Sequence, residues 1–242
     1  MSVTTLSFFL GITSVILLLI GYTYSISFLI KYITVKKILV PIVALVAFCC
    51  GSFYLGPSIS FIRLLLGYDN LASGTYYIIS YVWMPIGTLG IVLMGLIVFA
   101  PNLKKPALIF YGILGIVFWI FMFGFTENQH TSEPVGPGEL IDVSHANVSL
   151  VLVGICLLSI LVIDGFGFFL LAYRLKKKNM GKRDTRKSFM VGLGWSLFVI
   201  SGLVDTMVIP STVWFILINR GIMMFAFNII YIGFWSKPAK LE

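Results

Sequence analysis

Long apolar runs separated by short polar interruptions dominate this chain. Seven runs, near 5–31, 38–66, 76–100, 106–126, 147–174, 187–209 and 211–235, are long enough to cross a bilayer as helices. A helix rises about 1.5 Å per residue, so roughly 20 apolar residues cover about 30 Å of hydrocarbon. The pattern predicts an all-α polytopic membrane protein, a seven-transmembrane-helix bundle forming one domain over residues 1–240. The second run is long for one span, and Gly56-Pro57 predicts a kink in it or an end to its regular part. Leu241-Glu242 reads as a cloning scar, and the first run, without a basic residue before it, does not read as a cleavable signal peptide.

Composition agrees. The 242 residues are 59% hydrophobic and 11% charged, where soluble domains carry about 25% charged residues. Basic residues then orient the bundle. Fifteen of the seventeen fall after spans one, three, five and seven, among them Lys36, Lys37, Lys104, Lys105 and the run from Arg174 to Lys187. Acidic residues gather at the opposite end: Asp69, Glu127, Glu133, Glu139, Asp142 and Asp205. By the positive-inside rule the N-terminus lies outside, the C-terminus is cytoplasmic, and the protein is a multi-pass plasma-membrane protein. The +8 net charge then needs no nucleic acid. The Arg174–Lys187 run reads as an anchor for anionic lipids, or as a docking site for a cytoplasmic protein.

Similar helix ends recur. SFLIKYITVKK closes span one and FFLLAYRLKKK closes span five, while IVFAPNLKKPA and YIGFWSKPA close spans three and seven. The pairing fits two parallel triplets joined by span four, a 3+1+3 repeat; shared aromatic and basic anchors at cytoplasmic helix ends give the same likeness without a repeat.

Few ionisable groups lie at membrane depth, and such groups are functional candidates by default. Asp164, in VIDGFGFFLL, falls about 20 Å below the outer boundary. Asn228, Tyr22, Tyr24 and Trp195 reach the same level, so an interhelical polar lock of Asp164 with these residues is expected, with Gly165 and Gly167 allowing close approach. Higher up lie Arg63, Asp205 and Arg220, with Asn219 beside Arg220 but facing another direction, and with aromatic walls including Trp83 and Tyr81. Two Arg against one Asp predict a net positive outer chamber suited to a small carboxylate or other anion. The plainer alternative is an Arg220–Asp205 pair with Arg63 among the headgroups.

Several chemistries are excluded. A retinal protein needs a mid-span Lys for its Schiff base, and all twelve Lys lie at span ends, in inner loops or in the tail. His130 and His145 are the two His and match no closed metal site. No phosphate loop or haem-ligand pair is present. The expectation is no enzyme, no metal and no cofactor. Cys49, Cys50 and Cys156 read as small packing residues.

Seven spans with a basic third inner loop resemble G-protein-coupled receptors in topology, and Asn228-Ile-Ile-Tyr231 looks like that family's Asn-Pro-x-x-Tyr motif without its Pro. Span three ends in VFAPNLKK rather than Asp-Arg-Tyr, and these Cys allow no outer disulfide. The topology is also similar to prokaryotic seven-span sensor modules such as those preceding histidine kinases. The triplets look like small 3+1+3 sugar transporters, whose hinge motifs are missing here. These resemblances imply a receptor-like sensor that binds a small ligand or lipid from outside and signals to a cytoplasmic partner. The alternative is a small-solute or anion carrier coupled to protons through Asp164.

Overall fold

The computed structural model describes residues 3–132, 135–179, 181–207 and 212–235. Glu133, Pro210, Lys237, Lys240 and the 241–242 pair lie outside these ranges. Among the described residues the chain is helical, with 83% of them in helix. Among the described residues, six helices are long and apolar enough to cross a membrane, or seven if one bent pair counts as a span.

Span one is α1 (Thr5–Val35), capped at its start by the Thr4 side chain and closed by Lys36 in the left-handed conformation. It runs four residues beyond its expected end, so Lys31 lies a full turn inside the helix. There Lys31 Nζ donates to the carbonyls of Phe234 and Trp235 at 3.0 and 2.9 Å. Those carbonyls close the last helix, where a cation is favourable for both hydrogen bonding and the helix dipole.

Span two is the bent pair, α2 (Leu39–Ser52) and α3 (Leu55–Leu65), which meet at 44°. The break lies at Phe53-Tyr54, one turn before Pro57. That is where a proline ring clashes with the carbonyl four residues earlier, so the expected kink sits a few residues upstream of Gly56-Pro57. Span three is also interrupted, as α4 (Ser73–Tyr81) and α5 (Met84–Phe99), with Pro85 in the first turn of the second piece. This interruption was not expected from the run of apolar residues. Span four is α6 (Lys104–Gly124), and α7 (Thr126–Gln129) follows.

Two short strands, β1 (His130–Ser132) and β2 (Val143–His145), then pair antiparallel and set His130 opposite His145. Span five is α8 (Asn147–Ile160), a six-residue π-helical segment (Leu161–Phe166), and α9 (Gly167–Lys177). Spans six and seven are α10 (Lys182–Met207) and α11 (Val213–Trp235).

The helices form a sequential ring. α1 packs on α2 and α11, α2 on α5, the π segment on both α5 and α10, and α10 on α11. Span four sits outside, against α5 and α8, and only 22% of its most apolar window is buried, against 56% for span three. Its outward row, including Ile109, Ile113, Ile116 and Ile120, is exposed and apolar. The hairpin gathers one end of the bundle: the Thr4 amide donates to the Gly138 carbonyl at 3.0 Å, and the Leu140 amide to Ser7 Oγ at 2.8 Å. α1 and α2 cross closely where Gly21 meets Gly51. A Cβ on Gly21 would lie 2.5 Å from the Gly51 Cα, closer than side chains allow.

Candidate functional site

Among the described residues, three polar centres lie inside the bundle. The first joins spans two, six and seven in the half nearer the hairpin. On α10, Ser201 and Asp205 are one turn apart and so share a face. On α11, Asn219 and Arg220 are consecutive and both are buried. The two helices run antiparallel side by side, so Asp205 lies within reach of both. Arg220 Nε pairs with Asp205 Oδ1 at 3.1 Å. Asn219 Nδ2 donates to the same oxygen at 3.3 Å, and Ser201 Oγ donates to Asn219 Oδ1 at 2.7 Å. The Arg220 guanidinium lies over the Tyr54 ring at 4.6 Å, a cation–π contact. Tyr54 in turn donates to the Met223 sulfur. Arg220 Nη1 is buried and makes no hydrogen bond among the described residues.

The expected outer chamber is therefore assembled in part. Asp205, Arg220 and Asn219 come together, and Asn219 joins the cluster rather than facing away from it. Arg63 does not join. Its Nε donates to the Asp69 carbonyl at 2.8 Å, and its guanidinium lies 6.0 Å from the Tyr68 ring. The chamber thus loses its second cation, while Asp142 lies close enough for its charge to act on Tyr76, Tyr81 and Arg220. The net positive balance expected from the sequence does not hold. Trp83 packs edge-on against Phe48 of α2, and Tyr81 belongs to the histidine cluster described below.

The second centre is Asp164. It is fully buried on the π segment, and neither carboxyl oxygen has a hydrogen-bond partner among the described residues. It faces α5: a Cβ on Gly95 would lie 2.8 Å from Asp164 Oδ1. The expected lock is not formed. Asn228 is bonded to Tyr24 instead, whose ring stacks on Tyr231 at 4.0 Å. Tyr22 lies 3.3 Å from the Ser52 hydroxyl, and Trp195 Nε1 is buried without a partner. Equal depth brought Tyr24 and Asn228 together, but the π turn carries Asp164 to another side of its helix. Ser196 Oγ is also buried and unbonded, 2.8 Å from where a Cβ on Gly165 would stand.

The third centre closes the hairpin end. Tyr77 is sandwiched between the paired histidines, stacked on His130 at 5.3 Å and edge-on to His145 at 5.4 Å. The Tyr77 hydroxyl lies 3.2 Å from His145 Nδ1, and the Tyr81 ring is 4.1 Å from that imidazole. Burial pushes the His145 imidazole down to about 3, so it is neutral at ordinary pH and shares one proton with the Tyr77 hydroxyl in either direction, according to its tautomer. Among the described residues, no three His, Cys, Asp or Glu side chains gather as a metal site needs. The three cysteines are free and buried.

Sequence reasoning missed Tyr54, Ser201 and the Tyr77–histidine cluster. Ser201 was readable from its four-residue spacing to Asp205. Tyr54 was not, because its position depends on the break that turns α3 away from α2.

No known protein family matches this chain, and no curated protein or solved structure matches it either.

Proposed function

We propose that this protein is a receptor-like membrane sensor with its N-terminus outside, acting by binding rather than by covalent chemistry. In this reading a small zwitterionic solute enters from the outer side and engages the Arg220–Asp205–Asn219 centre. The signal passes through spans five to seven to a cytoplasmic partner.

The observation that carries the reading is the incomplete bonding of Arg220. A guanidinium has five N–H donors, and an unsatisfied one buried away from water costs about 1–3 kcal/mol. Nη1 has a hydrogen bond to give, and Asp205, with 22% of its side chain exposed, can still accept one. A ligand carrying a carboxylate and an ammonium close together satisfies both. A simple anion fits less well, because Arg63 stands apart and Asp142 adds negative charge. The sequential ring supports a receptor-like arrangement over a pair of triplet bundles, since span one packs on spans two and seven.

The test is a thermal-shift screen of the purified protein with amino-acid-like zwitterions, simple carboxylates and simple amines. A zwitterion should raise the melting temperature in proportion to the logarithm of its concentration above its dissociation constant. Arg220→Lys, which keeps the charge and loses the planar donor set, should abolish that shift. Stabilisation by simple carboxylates alone would reject the zwitterion reading. Uptake of the hit into liposomes would reject the sensor in favour of a carrier.

A further inference from the structure

At the basic end of the bundle, α9 and α10 diverge around a cleft of about 780 Å³. Its lining is ordered by depth. On α9, Phe169, Tyr173 and Lys176 follow at four- and three-residue spacing and share one face. On α10, Lys182, Arg186 and Phe189 do the same in the opposite direction. Both helices therefore present cations at the rim and aromatic rings one to two turns deeper. The Phe169 and Phe189 rings meet at 5.4 Å and form the back of the cleft. Tyr173 and Phe189 remain 64% and 50% exposed, so these rings are not filled in by the protein itself. Among the described residues, Lys176, Lys182 and Arg186 have no acidic partner; the nearby Asp184 pairs with Lys187 at 3.4 Å.

We propose that this cleft is a binding site for one anionic phospholipid, with its phosphate held by Lys176, Lys182 and Arg186 and an acyl chain laid against Phe169, Tyr173 and Phe189. The charge complements a phosphate, and the vertical order of cation over aromatic is that of an amphiphile standing at a membrane surface. Lys and Arg stems bury their methylenes while their heads reach the interface, which suits a rim position. A soluble phosphate compound matches the rim but leaves the aromatic floor exposed. A cytoplasmic protein matches the charge but has no reason to reach the depth of Phe169. The site is independent of the zwitterion reading, since it lies at the other end of the bundle.

The experiment compares the full chain in nanodiscs of phosphatidylcholine with and without phosphatidylglycerol, followed by detergent extraction and native mass spectrometry of retained lipid. The wild type should retain one phosphatidylglycerol. The cleft variant K176Q/K182Q/R186Q should lose it by about tenfold or more. The control variant R174Q/K177Q/R183Q removes the same charge outside the cleft and should retain it. All six positions are exposed, so neither variant disturbs the packed interior. Y173A/F189A should weaken retention while leaving every charge in place. Equal loss in both charge variants means diffuse surface attraction and overturns the site. Displacement from the wild type by soluble glycerol phosphate, or no effect of Y173A/F189A, overturns the lipid assignment in favour of a soluble phosphate ligand.

Discussion

Replacing Asp164 by Val should make the protein more stable. The Asp164 side chain is fully buried and neither oxygen is bonded among the described residues. It carries a desolvation cost with no hydrogen bond to offset it. For an unsatisfied buried polar group that cost is about 1–3 kcal/mol, and for an ionised Asp at the centre of a bilayer about 2.5–3.5 kcal/mol. Valine places methyl groups near the two oxygens, in the space that the absence of a side chain on Gly95 leaves open. The expected gain is therefore about 1–3 kcal/mol. A chain of this size shifts its melting temperature by about 2–4 °C per kcal/mol, so a rise of about 2–12 °C should appear in a thermal melt of purified protein. Asp164→Asn keeps an unbonded polar group in the same shape and should melt near the wild type. If the Val variant instead loses 1 kcal/mol or more, the carboxyl makes bonds in the folded protein and the reasoning from its isolation fails. A stabilised Val variant that no longer responds to ligand would mark Asp164 as kept for function against stability.

Three further outcomes follow from the packing and charge described above. Asp205→Ala leaves Arg220 buried without its partner and should cost about 3–5 kcal/mol in denaturant unfolding, while Asp205→Leu combined with Arg220→Met should recover most of it; equal losses in both would show that the pair is not the source. Gly21→Ala drives a methyl into the backbone of α2 and should destabilise by about 1–3 kcal/mol, whereas Gly112→Ala, which meets nothing within 4 Å, should be silent in the same melt. His145 is held down to about 3 in the fold, against an ordinary value of 6.5. Between those values the unfolded chain binds the extra proton, so stability is complete above about pH 6.5 and falls as pH drops toward 3, by up to about 1.4 kcal/mol per pH unit. Melts from pH 7 to 5 should show this slope, and His145→Gln should flatten it.

The spans were legible because hydropathy over twenty residues is a bulk property that packing does not override. Proline likewise announced the bend in span two, although the break at Phe53-Tyr54 precedes Pro57 by a turn. Depth along each helix was also readable: Tyr24 and Asn228 do meet, as do Asp205, Arg220 and Asn219. What depth does not give is azimuth. Arg63 and Asp205 were placed near one level, yet Arg63 turns to the Asp69 carbonyl. Asp164 shares a level with Asn228 but faces Gly95, because a π turn adds a residue that no 3.6-residue periodicity anticipates. The hairpin escaped notice for another reason. Strands of three residues are too short for alternation to register, and only their pairing sets His130 and His145 on either side of Tyr77.

The π segment also fixes how the two halves of span five are phased. Each residue turns an ordinary helix by about 100°, so rewinding Leu161–Phe166 as ordinary α-helix with every residue kept would swing everything beyond it by a comparable angle. Asp164 would leave Gly95, and Tyr173 and Lys176 would rotate away from Arg186 and Phe189. A change of winding in mid-membrane would thus dismantle the cleft several turns away, without altering one residue that lines it.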